Sequence, residues 1–120
     1  MFMTKEVVSK MSAKKQKGSI ICLSSILAKG TFSPGNGPYA ASKSGVDGFV
    51  KCMSFELQRM GIRINGIAPA CVETDMGETL PDDLNAALKA RSIHNRHVHL
   101  PELSALAEFL LSSNSEYITG

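Results

Sequence analysis

Tyr39 and Lys43 stand four residues apart in the stretch from Gly37 to Met60, G-P-Y-A-A-S-K-S-G-V-D-G-F-V-K-C-M-S-F-E-L-Q-R-M. On a helix their side chains lie on one face, a turn apart. An ammonium beside a phenol favours the phenolate and brings a group of ordinary pKa about 10 closer to neutrality. A phenol so tuned is suited to give a proton to a carbonyl oxygen. The pair alone is a weak signal, because Tyr and Lys at this spacing also occur as ordinary surface neighbours. Ser24 and Ser25 add hydroxyls at the end of an apolar run, and Pro69-Ala70-Cys71-Val72-Glu73-Thr74 follows a second such run. In open α/β sheets, ligands bind at the carboxyl ends of strands. A hydroxyl, a phenol, an ammonium and a polar loop are therefore expected on one rim.

The elements that must hold this rim are readable. Residues 37–60 form one long helix opened by Pro38, with Val46, Phe49, Val50, Met53, Leu57 and Met60 as its apolar stripe. Ser19–Ser24 is a short apolar run of the kind buried on both faces in parallel sheets. Gly61 ends the long helix, and Ile62–Ala68 is a second strand closed by Pro69. Strand, loop, helix and strand make a βαβ unit with parallel strands and a right-handed crossover. Ahead of it, residues 2–15 read as a helix with Met3, Val7, Val8 and Met11 on one face and Gly18 as its stop. Lys14, Lys15 and Lys17 read as a solvated helix end. Pro81-Asp82-Asp83 starts a short helix to about Ala90, carrying Leu84 and Leu88. Pro101-Glu102 opens another, with Leu103, Leu106, Ala107, Leu110 and Leu111 inward and Ser112–Ser115 as its end.

Other patterns carry less chemistry. Gly35-Asn36-Gly37-Pro38-Tyr39-Ala40 matches a dinucleotide fingerprint in letters only. It does not follow its strand in a tight turn, and Pro38 removes an N–H from any phosphate cradle. His94, His97 and His99 lack a nearby thiolate or carboxylate at known ligand spacing, so they read as an irregular loop and not as a metal site. Tyr117 has no Lys four residues on and is read as a packing residue. The chain has 120 residues, which suits one domain, with 43% hydrophobic and 20% charged residues. A formal charge of +2 gives no argument for nucleic acid or an anionic membrane. Cys22, Cys52 and Cys71 form no C-x-x-C pair; each lies in an apolar run and is expected to be a buried, reduced thiol. No run approaches a membrane span and no signal-peptide core follows Met1–Met3, so a cytoplasmic protein is expected.

Several segments together resemble the C-terminal half of a classical short-chain dehydrogenase/reductase, of the 3-oxoacyl-(acyl-carrier-protein) reductase-like kind. They are K-G-S-I-I-C-L-S-S-I at 17–26, Y-A-A-S-K-S-G-V at 39–46 and G-I-R-I-N-G-I-A-P-A-C-V-E-T-D-M at 61–76. P-E-L-S-A-L-A-E-F-L-L-S at 101–112 and Y-I-T-G at 117–120 complete the set. The resemblance implies an α/β partial Rossmann fold, a doubly wound parallel sheet of which residues 1–120 form part of one NAD(P)-binding domain. It implies hydride transfer between NAD or NADP and a small carbonyl or alcohol substrate. Tyr39 would be the general acid/base, Lys43 the ammonium that lowers its pKa and holds the nicotinamide ribose, and Ser25 the hydroxyl that bonds the substrate oxygen. Tyr39, Lys43, Pro69, Ala70, Val72 and Thr74 would meet the cofactor. Residues 75–99 would be the substrate lid.

Three departures from the family pattern matter. The loop from Ser25 to Tyr39 is one residue longer than usual. Pro69-Ala70 stands where the family has Pro-Gly. The family's phosphate loop, its ribose-reading residue and a catalytic Asn, all expected ahead of Met1, are absent, as is a final strand after Gly120. The implied whole protein is a homo-oligomer, dimer or tetramer, and the chain by itself is expected to be inactive. The alternative is a non-catalytic relative that associates with full-length subunits.

Overall fold

The computed structural model describes residues 2–30, 34–74 and 81–120. The order is α1 (Phe2–Ala13), β1 (Gly18–Leu23), a 3-10 turn (Ile26–Lys29), α2 (Gly37–Leu57), a second 3-10 turn (Gln58–Met60) and β2 (Ile62–Ile67). Then follow α3 (Asp82–Ala90), α4 (Leu100–Leu111) and a closing 3-10 turn (Ser113–Ser115). β1 and β2 pair in parallel, from Gly18↔Ile62 to Leu23↔Ile67. The fold is α/β, with a two-stranded parallel sheet among the described residues. The pairing runs on past the strands: Ser24 N–H donates to the Ile67 carbonyl at 2.7 Å and Ile26 N–H to the Pro69 carbonyl at 3.1 Å. The two loops after the strands are thereby held side by side.

Side chains alternate across the sheet, as strand geometry requires. Ile62 and Ile64 pack with Val50 and Leu57 of α2 in the buried core, and Ile20, Cys22, Val46, Phe49, Met53, Val8 and Met11 close around it. The other face is pinned by polar contacts. The Ser19 hydroxyl donates to the Leu110 carbonyl at 3.0 Å. Arg63 donates to the carbonyls of Leu110 (3.0 Å), Ser112 (3.1 Å) and Ile118 (3.2 Å). The last carbonyls of a helix have no intrahelical partner, and a guanidinium there satisfies them and suits the dipole. The Asn65 side-chain amide donates to the Ile118 carbonyl at 3.0 Å.

Several expectations are corrected. β1 is half-buried and its Leu23 exposed, not buried on both faces, because among the described residues β2 is its only neighbouring strand. α1 stops before Gly18: Lys15 turns left-handed at φ 49, with Lys15 N–H to Ser12 O at 3.0 Å and Gln16 N–H to Met11 O at 2.9 Å. That is a Schellman closure with Lys where Gly is usual. Gly18 instead opens β1, where a Cβ would lie 2.8 Å from Met11 Cε. Met60 is exposed because the chain tightens into a 3-10 turn at Gln58, which rotates it off the stripe. Met3, Val7, Leu84, Leu106 and Leu111 are also exposed. Tyr117 is fully exposed rather than packed. Cys52 is exposed, and Cys22 and Cys71 are only half-buried.

Candidate active site

α2 starts beside the carboxyl end of β1. Pro38 occupies its first turn, and the Ala40 N–H closes that turn on the Asn36 carbonyl at 2.8 Å. Tyr39 and Lys43 follow on one face. Lys43 Nζ donates to the Leu23 carbonyl, the last of β1, at 2.9 Å. The same Nζ lies 5.6 Å from the centre of the Tyr39 ring, within cation–π range. An ammonium has three N–H groups, so two remain for a ligand. Tyr39 is 45% exposed and can be reached from solvent.

Ser24 and Ser25 are both buried at this strand end. The Ser24 hydroxyl donates to the Lys43 carbonyl at 3.3 Å. Ser25 caps the 3-10 turn, its oxygen accepting the Leu27 N–H at 3.2 Å. A serine hydroxyl has one proton to give besides its acceptor lone pairs. That proton is directed to no other group among the described residues. The structure thus brings Tyr39 and Lys43 against the β1 end from which Ser25 follows, with Pro69 alongside through Ile26. Ala70 is exposed and Val72 half-buried. Thr74 is exposed, and its hydroxyl donates to the Val72 carbonyl at 3.4 Å.

The segment after β2 returns on itself. Val72 and Val98 form an isolated parallel bridge, with Glu73 N–H to Val98 O at 2.9 Å and Val98 N–H to Cys71 O at 3.0 Å. Charged side chains lock the same place. Arg96 grips both Glu102 oxygens at 2.9 and 2.7 Å, and the His99 N–H adds a bond to Glu102 at 2.9 Å. His99 Nδ1 meets Glu73 at 2.5 Å. His97 Nε2 is 2.6 Å from the Asn85 side-chain oxygen. The expected lid, residues 75–99, lies outside the described residues from 75 to 80; its described part is α3 and this locked base. His97 and His99 therefore serve separate contacts, and no group of three potential metal ligands converges among the described residues.

Electrostatics at the lock give a pH prediction. The Arg96 guanidinium, then the His99 N–H, hold Glu102 down from the usual 4.5 to about 2. A depressed folded-state value contributes stability that is full above the ordinary glutamate range and is lost as pH falls toward about 2. In a carboxyl carbon NMR titration, Glu102 is expected to titrate well below the ordinary glutamate range, and Arg96→Met to bring it back toward that range. An unchanged Glu102 midpoint in Arg96→Met would rule the contact out as the cause. Burial pushes the Cys22 and Cys71 thiols up, which makes them poor nucleophiles at neutral pH.

Sequence reasoning missed Lys29, Asp47 and Arg96; it placed Glu73 in the loop after β2 and Glu102 at a helix start without their charged partners. Asp47 carried a signal, standing four residues after Lys43. Two open depressions lie elsewhere, one lined in part by Lys17, Arg63 and Thr119 at the opposite strand ends and one by Lys51, Phe55 and Gly120. The guanidinium at the first is already committed to the carbonyls of Leu110, Ser112 and Ile118. No helix among the described residues is long and apolar enough to cross a membrane.

Comparison with known proteins places this geometry in context. The sequence model of the family described as Enoyl-(Acyl carrier protein) reductase matches residues 1–120. The 3-oxoacyl-(acyl-carrier-protein) reductase of Salmonella typhimurium is 36% identical over 120 residues, covering 99% of this chain and 48% of the relative. A crystal structure from Agrobacterium tumefaciens with bound NADP, provisionally assigned as a 2-deoxy-D-gluconate 3-dehydrogenase, superposes with TM-score 0.88 at 30% identity, over 98% of this chain and 48% of that one. A 3-oxoacyl-(acyl-carrier protein) reductase from Brucella melitensis with bound NAD gives 0.84 at 30% identity, over 98% and 42%. The chain spans about half the length of the curated relatives it matches.

Proposed function

This chain belongs to the short-chain dehydrogenase/reductase family, and from that membership we propose that it carries the proton-transfer machinery of a nicotinamide-dependent oxidoreductase acting on a carbonyl or alcohol. One observation supports this reading above the rest: the Lys43 ammonium sits between the Leu23 carbonyl and the Tyr39 ring. The Leu23 carbonyl holds the ammonium in place. From there its charge stabilises negative charge on the Tyr39 oxygen as that oxygen gives up its proton. The Ser25 hydroxyl, with its proton unspent, bonds the substrate oxygen and orients it toward Tyr39. In oxidation the same groups run in reverse, Tyr39 taking the proton.

The residues present fit the nicotinamide end of NAD or NADP. Lys43 and Tyr39 would hold its ribose, using the two N–H groups that Leu23 leaves free. Pro69, Ala70, Val72 and Thr74 would line the carboxamide and adjacent phosphate. When bound, that cofactor supplies the hydride. Among the described residues the adenosine end has no equivalent support. The connection from β1 to α2 runs from Ser24 to Asn36, and Pro38 offers no N–H to a phosphate. On this reading residues 1–120 are part of one Rossmann-type domain of a cytoplasmic protein that is homo-oligomeric when whole.

Two measurements follow. In a fluorescence titration, the isolated 120-residue chain is expected to show no micromolar affinity for NADH or NADPH; saturable micromolar binding overturns that. The catalytic reading is tested in a chimera, with this chain replacing the matching stretch of the Salmonella typhimurium reductase. Ketone-dependent oxidation of NADPH or NADH is expected. A chimera that folds and binds cofactor without turnover favours a non-catalytic relative that only associates with full-length subunits.

A further inference from the structure

Asp47 lies on the face of α2 that carries Tyr39 and Lys43, one turn beyond the lysine. Its carboxylate meets Lys29 Nζ at 2.6 Å; the two side chains are 16% and 56% exposed. Hydrogen bonds from Lys29 and then Ser24 hold Asp47 below the usual carboxylate range. The buried Ser24 hydroxyl itself donates to the Lys43 carbonyl, one turn before Asp47, at 3.3 Å. One step along, the Ser44 hydroxyl donates to the Ala28 carbonyl at 3.4 Å. These contacts tie the 3-10 turn capped by Ser25 to the turn of α2 that begins at Lys43.

We infer that Asp47 is a positioning residue: with Lys29 and Ser24 it sets the register of α2 along the β1 end, and so the placement of Tyr39 and Lys43 relative to Ser25. What is positioned rests on the functional reading above; the positioning itself does not. The apolar stripe of α2 holds the helix on the sheet, but burial is non-directional and leaves it free to shift along its groove. An ion pair and hydrogen bonds have preferred distances and angles, and they fix that freedom. Removing Lys29 leaves a mostly buried carboxylate without its countercharge, which favours a shift of the helix toward water.

The test needs no turnover. The Lys43 side chain meets the end of β1 at the Leu23 carbonyl, and nuclear Overhauser contacts from its Hε protons to the Leu23 and Ser24 backbone can be followed in the full 120-residue chain with 13C-labelled lysine. Lys43→Leu identifies those contacts by their absence. Lys29→Met and Asp47→Asn are each expected to lose most of that signal, with the methyl resonances of Val50 and Ile64 in place. The exchanged pair, Lys29→Asp with Asp47→Lys, is expected to recover it, which a loss of mere stability would not allow. If Asp47→Asn does not fold, the Lys29→Met protein decides the question, since Lys29 is largely at the surface. Undiminished Lys43–Leu23 contacts in folded Lys29→Met overturn the inference. An inactive chimera would instead count against the catalytic reading and leave this result standing.

Discussion

Tyr39→Phe is expected to lower kcat/KM of the chimera by ~10²–10⁴-fold, the usual weight of one positioned acid or base. The substitution removes one oxygen. The ring remains, with its place in the first turn of α2 and its contact with the Lys43 ammonium. Packing should therefore change little; cofactor binding would lose only the one hydrogen bond from the Tyr39 oxygen to the ribose, and the larger loss should fall on kcat. That split separates a proton donor from a residue that merely shapes the rim. A Tyr39→Phe chimera as active as its parent would remove Tyr39 from the mechanism.

Ile64→Ala should have the largest effect on the fold. Ile64 is fully buried and packs with Val50, Leu57 and Ile62 where α2 crosses β2. Truncating an Ile in such a place costs about 2–5 kcal/mol. A whole domain holds only about 5–15 kcal/mol, and a two-stranded sheet has little in reserve. Urea unfolding followed by circular dichroism should show Ile64→Ala largely unfolded without denaturant. Met60→Ala, at an exposed position, should leave the midpoint close to that of the parent. Equal midpoints for the two variants would mean that this cluster is not the core.

The βαβ unit was legible because its signals are local and redundant. Ile20 and Ile21 precede a Ser pair, Pro38 opens a helix, and Gly61, at φ 67, closes it. Helices at 82–90 and 100–111 were likewise marked by Pro and acidic starts. What was not legible depends on the partner an element meets. Lys15 takes a left-handed turn that sequence assigns to glycine, and nothing local to Tyr117 says that it projects into solvent. The burial expected for β1 fails because it depends on a second neighbouring strand. The approach of Tyr39 to Lys43 was legible from spacing. The anchor on the Leu23 carbonyl was not, since it joins residues twenty apart. For the same reason Lys29 with Asp47, and Arg96 with Glu102, emerge only from the folded chain.

The most direct measurement is a crystal structure of the chimera with bound NADP. The nicotinamide ribose is expected at the carboxyl end of β1, with Lys43 Nζ and the Tyr39 oxygen within hydrogen-bonding distance of its hydroxyls and Ser25 facing the same space. A ribose seated at the opposite strand ends, beside Lys17 and Arg63, would contradict it.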